Sequence, residues 1–455
     1  MAIHEVGTKT RIPMRRWRIA WLLGFGVLVS YFDRVNLSAS HAALIASFGI
    51  SDFAFGVLSG TYNISYCVCQ LPIGVILDKF GVRRVGRVGT FLWTLATFAA
   101  AVTPTLGGLF GARLLLGVGE APTFPANAKA IGHWFPPGER SFATALFDSA
   151  AKFSSVIGIP LIGFVLIRAG WRWSFALTGF ISIAYFLSFW RIYRDPAEDS
   201  ALSRAEREYI DAPDRNPNRT FDRNPQAEGR GESQSPIDAP PSSLGHLLAE
   251  RKVLGLALGF GSYNYVFYLL LTWLPSYLSF ALHVDLMHSF LYTTVPWIFA
   301  TFADLAIGGW LVDFLVQRGA NANRVRRSVL IGGTSCGLGI LGAAHTHGAV
   351  EALVWISLSI GGLSAASPVG WSIPSLIVAR SDVGKVGGIV NFSNQISGIC
   401  APILTGYLVS VRHSYAWAFG VSAIYLCIGI AGYIFLLGKI EPPPKRAGAL
   451  PAGAS

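Results

Sequence analysis

"GVILDKFGVRR", residues 74–84, puts an aspartate and three cations between two long apolar runs. The run before it covers 54–77 and the run after it covers 86–104. Each is about 20 residues, long enough to cross roughly 30 Å of hydrocarbon as a helix. The charged stretch therefore reads as a short loop joining two membrane-spanning helices. Working outward, further runs occur at 17–38, 106–131, 141–166, 172–191, 253–280, 288–316, 328–346, 349–373, 384–410 and 415–438. The expected fold class is thus all-α and integral to a membrane, with twelve transmembrane helices. A composition of 52% hydrophobic and 13% charged residues agrees with that class.

Cations set the expected topology. Of 36 Lys and Arg, 29 fall in the two termini and the loops after even-numbered spans, against Arg168, Arg172 and Arg412 in the opposite loops. Loops rich in Lys and Arg stay on the cytoplasmic side, so both termini are expected there, in the cell inner (plasma) membrane. The net charge of +11 then follows from topology. Nucleic acid is not expected as a partner, because no soluble face gathers the cations. "SASHAA" after the first run resembles a cleavage site, but that run is too long for a signal core and carries Asp33 and Arg34, so it is read as a retained span.

The stretch at 74–84 has an echo. "GWLVDFLVQRGANANRVRR", residues 309–327, repeats Gly-x-x-x-Asp followed by a basic cluster: Gly74, Asp78, Arg83 and Arg84 in one loop, Gly309, Asp313, Arg326 and Arg327 in the other. The loops follow spans 2 and 8, which implies a duplicated six-helix unit. The glycine is expected to allow close helix approach, and the charges to form a cytoplasmic network that two moving halves make and break. Residues 195–250 hold little to bury and read as a cytoplasmic, mostly disordered linker with a short helix around "SRAEREYI". The expected organisation is an N-terminal bundle over 1–194, the linker, a C-terminal bundle over 251–440 and a tail over 441–455.

"GVILDKFGVRR" resembles the G-x-x-x-D-[RK]-x-G-x-[RK]-[RK] loop of the major facilitator superfamily, and the six-plus-six plan is similar to it over the whole chain. "YFDRVNLSAS" (31–40) and "ARLLLGVGEAPTFPANAKAIGHWFPPGER" (112–140) resemble signatures of its anion:cation symporter branch of sugar-acid, hexuronate, tartrate and phthalate carriers. The resemblance implies proton-coupled uptake of a small organic anion by alternating access around a midplane site, without a cofactor.

Charged residues inside the bundle carry that function independently of the resemblance. Intramembrane charges are costly and by default mark a pathway or a coupling group. They are Asp33 and Arg34 in span 1, Arg113 and Glu120 in span 4, Asp148 and Lys152 in span 5 and Asp304 in span 8. Arg113 and Glu120 are two turns apart on one face, so spans 1 and 4 are each expected to offer a carboxylate and a guanidinium to a shared cavity. Asp33 and Glu120 read as proton-coupling groups, and Arg34 and Arg113 as anion-binding groups. The same residues also suit neutralising braces between helices, and a gate can serve as a brace.

Polar residues extend the candidate site. The resemblance favours Tyr31 and Tyr66 as substrate contacts; Tyr62, Tyr66 and Gln70 form an i, i+4, i+8 stripe. "WSIPSL" (371–376) and "NFSNQISG" (391–398) offer Trp371, Ser372, Asn391, Asn394 and Gln395, with Asn391 favoured by resemblance. Tyr263, Asn264 and Tyr268 are weaker candidates. "FDSAAKFSS" (147–155) departs from the branch by supplying Asp148 and Lys152. They either pair with each other at i, i+4, or Lys152 adds a cation to the cavity that favours a dianion or a compact strong acid such as a sulfonate.

Other readings fail on spacing. "GLGILG" (337–342) lies within span 9 with no preceding strand, so it is helix packing rather than a nucleotide loop. The cysteines and histidines lack metal-ligand spacing, no catalytic constellation appears, and no enzyme, metal or cofactor is expected. A drug or metabolite exporter is the alternative transport function, disfavoured by the paired arginines; a non-transporting sensor lacks an output domain. The expected partners are the organic anion, protons and the lipid bilayer, with the chain acting as a monomer.

Overall fold

The computed structural model describes residues 14–136, 139–211, 242–346, 348–378 and 382–440. Among them the chain is helical, without strands. In the first half the spans are α1 (Arg15–Ala39), both arms of α3 (Asp52–Val102), α4 (Leu106–Glu120) continued by α5 (Thr123–Trp134), α6 (Arg140–Ala169) and α7 (Trp171–Ile192). In the second half they are α10 (Arg251–Ser276), α11 (Leu286–Ala303) continued through a π turn (Asp304–Leu311) into α12 (Val312–Gln317), α13 (Ala322–Cys336) with α14 (Ile340–Ala343), α15 (Ala349–Ser372), α17 (Val383–Arg412) and α18 (Ala416–Ala431). The shorter α2 (His41–Phe48), α8 (Arg204–Asp211), α9 (Leu244–Ala249) and α16 (Pro374–Ile377) lie between spans. The α2 helix, "HAALIASF", falls between the first two apolar runs and buries His41 and Leu44.

Seven of these helical stretches are both long and apolar enough to cross a membrane by composition alone. The remaining spans fall short for identifiable reasons. The α1 helix carries Arg15, Arg16, Arg18, Asp33 and Arg34, the α4–α5 span is interrupted, and α13–α14 contains a 3-10 turn at Gly337–Gly339. The two arms of α3 meet at Gly81, whose φ of 76° is open to glycine and strained for a residue with a Cβ. That residue turns the chain back inside "GVILDKFGVRR".

Duplication is visible in the packing. In the first half α1 packs on α6 and α3 on α4; in the second, at the equivalent positions, α10 packs on α17 and α11 on α15. Close backbone approach has a price in side-chain volume, met here by glycine. A Cβ on Gly119 would lie 2.5 Å from Trp93 N, and one on Gly308 would lie 2.5 Å from Ala365 O. Gly119→Ala is therefore expected to force spans 3 and 4 apart and destabilise the protein by roughly 1–3 kcal/mol, read as a lower unfolding temperature in detergent. An unchanged temperature would contradict this packing.

Gly74 corrects the sequence reading. A Cβ there would meet nothing within 4 Å, so it makes no close helix contact in this structure. The reason lies in how the halves meet. At the end remote from the termini they touch closely: Ser38 Oγ donates to Thr272 O at 2.7 Å, His41 Nδ1 lies 2.7 Å from Ser276 Oγ, and Asn63 Nδ2 donates to Gly398 O at 2.9 Å. Gly56 and Gly60 there face the backbone of α17. Gly74 lies one turn beyond the Gln70–Asn391 contact that bridges the halves, and among the described residues no hydrogen bond between the halves is found past it.

Where the linker was expected, both described ends carry structure. Arg15 pairs with Asp199 at 2.8 Å, and Arg16 pairs with Glu206 of α8 at 3.1 Å and with Glu139 at 2.8 Å. Burial pushes the Glu139 carboxyl up, but hydrogen bonds from Arg16 and Tyr209 and the Arg16 charge hold it below its ordinary value. Arg83 pairs with Glu198, inside the same half. Residues 212–241 and 441–455 lie outside the described residues, as do the side chains of Asp78 and Asp313.

Candidate functional site

The cations of spans 1 and 4 meet over Tyr62. Arg34 Nη2 lies 3.0 Å from Glu120 Oε2 and 2.5 Å from the Tyr62 hydroxyl, which itself donates to Glu120 Oε2 at 2.6 Å. The Arg34 guanidinium sits 4.0 Å from the Tyr31 ring centroid, and that of Arg113 sits 5.2 Å from the Tyr62 ring. Such stacking leaves the edge of the guanidinium free to bind an anion.

Asp33 goes elsewhere. Its Oδ2 accepts from Trp93 Nε1 at 2.6 Å and Thr97 Oγ1 at 3.0 Å, both in the second arm of α3. The expectation that span 1 offers a carboxylate and a guanidinium to one cavity is thereby corrected. Adjacent helical residues point about 100° apart, so Arg34 turns to the cavity and Asp33 to span 3. Arg113 touches Asp33 only through the backbone, its Nη1 donating to Asp33 O at 3.4 Å. Among the described residues Arg113 has no carboxylate within ion-pair distance, although it is only 3% exposed.

Arg34, Tyr62 and Arg113 line a cavity with Asn63, Tyr268 and Thr272, enclosing about 310 Å³ of empty space, part of it continuous with solvent. It therefore lies between the halves. Buried polar atoms of Arg34 (Nε), Arg113 (Nε) and Glu120 (Oε1) have no partner there.

The other candidates take separate places. Tyr66 is buried with its ring 5.7 Å from that of Tyr62. Asn391 Nδ2 donates to Gln70 Oε1 at 3.1 Å across the two halves, and Trp371 is 42% exposed with its ring edge-on to Phe260. Neither lines the cavity, nor does Lys152. Lys152 Nζ instead sits 3.1 Å from Asp148 Oδ2 and 2.5 Å from Asp304 Oδ2, so it pairs with both acids rather than with Asp148 alone. Asn63 lines the cavity too, and its signal in the sequence is an amide inside an apolar run. Trp93 and Thr97 carry no sequence signal that points to Asp33.

The description "Major Facilitator Superfamily" matches residues 23–320 and 319–454. The chain is 38% identical to an uncharacterized transporter of Bacillus subtilis, YybO, over 94% of this chain and 95% of that protein. It is 29% identical to a D-galactonate transporter of Escherichia coli O6:H1 (94% and 96% covered) and 28% identical to a probable sulfoacetate transporter, SauU, of Cupriavidus necator (97% and 98% covered). Among solved structures, an inward-facing bacterial homolog of the human lysosomal transporter Spinster superimposes with a TM-score of 0.70 at 16% identity, covering 95% of this chain and 98% of that one. That likeness concerns the fold alone.

Proposed function

The chain belongs to the major facilitator superfamily, and from that membership we propose that it takes up a small organic anion together with protons. It is a multi-pass membrane transporter of the anion:cation symporter type, not an enzyme. The single observation carrying the substrate class is Arg113: a buried guanidinium with no carboxylate at ion-pair distance among the described residues, lining a cavity between the halves. Burying an unpaired charge is costly, and an anion in the cavity removes that cost.

In this reading Arg34 and Arg113 hold the anion's acidic group, with Tyr31, Tyr66, Trp371, Asn391 and Lys152 completing the path it follows. Glu120 and Asp33 carry the protons. Protonating Glu120 weakens its hold on Arg34 and so frees that guanidinium for substrate. The bundles 1–194 and 251–440 rock about the site, linked by 195–250, while Gly74, Asp78, Arg83, Arg84 and Asp313 act at the cytoplasmic end. The charge bias of the loops supports cytoplasmic termini in the inner membrane, and the carrier works as a monomer in this reading.

Counterflow in proteoliposomes with labelled sugar acids, dicarboxylates and sulfonates tests the proposal. Exchange of at least one of these anions is expected. Folded protein that exchanges none of them would rule the organic-anion reading out.

A further inference from the structure

Four charged groups of the membrane interior form no part of the cavity just described, or only border it. Asp33 is engaged by span 3; the other three, Asp148, Lys152 and Asp304, form one cluster. Lys152 and Asp148 stand on α6 of the first half, and Asp304 opens the π turn after α11 in the second. The contact at 2.5 Å therefore ties the two halves together through a pair of opposite charges, with Lys152 and Asp304 3% and 4% exposed at the side chain. Single π turns in α-helices are often retained at functional sites.

The buried charges balance. Among the described residues of the membrane interior three cations, Arg34, Arg113 and Lys152, face three acids, Asp33, Glu120 and Asp304, all buried. Asp148 stands apart, with its side chain 24% exposed and open to solvation. Because uncompensated charge in a low-dielectric interior is costly, a monoanion entering the cavity calls for one of these acids to be neutralised, and a dianion for two.

The geometry selects the second acid. Asp33 Oδ2 accepts two aligned hydrogen bonds, from Trp93 and Thr97, and Glu120 Oε2 accepts two, from Tyr62 and Arg34. Asp304 Oδ2 is close to the Lys152 ammonium but receives no well-aligned hydrogen bond among the described residues. It is thus the acid whose neutralisation loosens a cation outside the cavity of Arg34 and Arg113. The groups whose charge it feels are Lys152 and Asp148 from α6, with the Tyr263 hydroxyl of α10 nearby. Tyr31 carries the Arg34 guanidinium 4.0 Å from its ring centroid.

We propose that Lys152 and Asp304 form a second anion and proton site, specific for substrates that carry a second acidic group. This rests on the organic-anion reading above. A proton from bulk water adds to the Asp304 carboxylate and cancels its charge, which releases the ammonium of Lys152. The distal carboxylate or sulfonate of the substrate then takes the place of Asp304 on Lys152. Discharge reverses both steps, returning the proton to water and restoring the Lys152–Asp304 pair across the halves. Asp33 and Glu120 handle one proton between them for either class of anion, and Asp304 adds a second for a dianion, so the loaded interior stays balanced in both cases.

The test uses purified full-length protein in proteoliposomes, with sulfoacetate and D-glucarate as dianions and D-galactonate as the monoanion. Proton and substrate fluxes are recorded together. The expected result is one more proton per dianion than per monoanion in the wild type, and loss of that difference in Asp304→Asn. In the paired variant Lys152→Gln with Asp304→Asn, which removes both charges and keeps hydrogen-bonding groups, the dianion-to-monoanion ratio of kcat/KM is expected to fall at least tenfold. An unchanged ratio in the paired variant, or equal proton counts for the two anion classes in the wild type, would overturn the proposal while leaving the organic-anion reading standing. Wild-type protein that moves D-galactonate with protons but neither dianion overturns it in the same way. Transport of none of the three overturns both.

Discussion

Arg113→Ala is expected to weaken binding of the transported anion about 100-fold. A fully desolvated guanidinium that makes two charge-assisted hydrogen bonds contributes roughly 1.5–3 kcal/mol for each, and every 1.4 kcal/mol is a factor of ten in affinity. The effect is large because Arg113 has no carboxylate partner among the described residues, so its donors are available to a ligand. Arg113→Lys keeps the charge but loses the planar fork, and about a tenfold loss is expected. Binding measured by calorimetry or by substrate protection against heat unfolding decides the matter. Near-normal affinity in the lysine variant would make Arg113 a brace rather than a ligand.

Glu120→Gln is expected to abolish proton-driven accumulation, bringing the internal-to-external substrate ratio close to unity under an imposed pH gradient, while exchange of pre-loaded substrate persists. The amide resembles the protonated acid: it keeps a hydrogen-bonding partner for Tyr62 but exerts no net pull on Arg34. The variant is therefore locked in the state in which Arg34 is free for the anion, and its binding no longer follows protonation. Asp33→Asn should also impair accumulation, by a different route. The Asp33 carboxylate holds Trp93 and Thr97, so its protonation loosens span 1 from span 3 rather than releasing a guanidinium. Accumulation at the parental level in both variants would exclude these two acids as the coupling groups.

Much of the candidate site was legible as isolated charges. Asp33, Arg34, Arg113, Glu120, Lys152 and Asp304 stand out because each interrupts a run that otherwise suits hydrocarbon. Their pairing was less legible. Arg34 and Glu120 were both marked, but Asp33 was assigned to the same cavity although its neighbouring position on the helix turns it to another face. Lys152 was weighed against Asp148, four residues away, because local spacing is what a sequence displays; Asp304, 152 positions further on, completes the pair from the other half. Gly74 was read as a packing glycine from its motif, yet Gly119 and Gly308 make the close approaches.

Local sequence dictates the class and the plan: helices, their number, the doubled six-helix order and the charged loop at 74–84. These follow from local rules, since hydrocarbon length, backbone self-satisfaction and loop charge act on consecutive residues. Long-range packing decides where the halves meet, leaves Arg113 without a carboxylate at ion-pair distance among the described residues, and brings Lys152 across to Asp304. Those outcomes depend on the rotation of each helix about its axis and on how the halves lean together. Both are set by side-chain packing between segments far apart in the chain, where opposite charges find each other because the membrane interior leaves them no water.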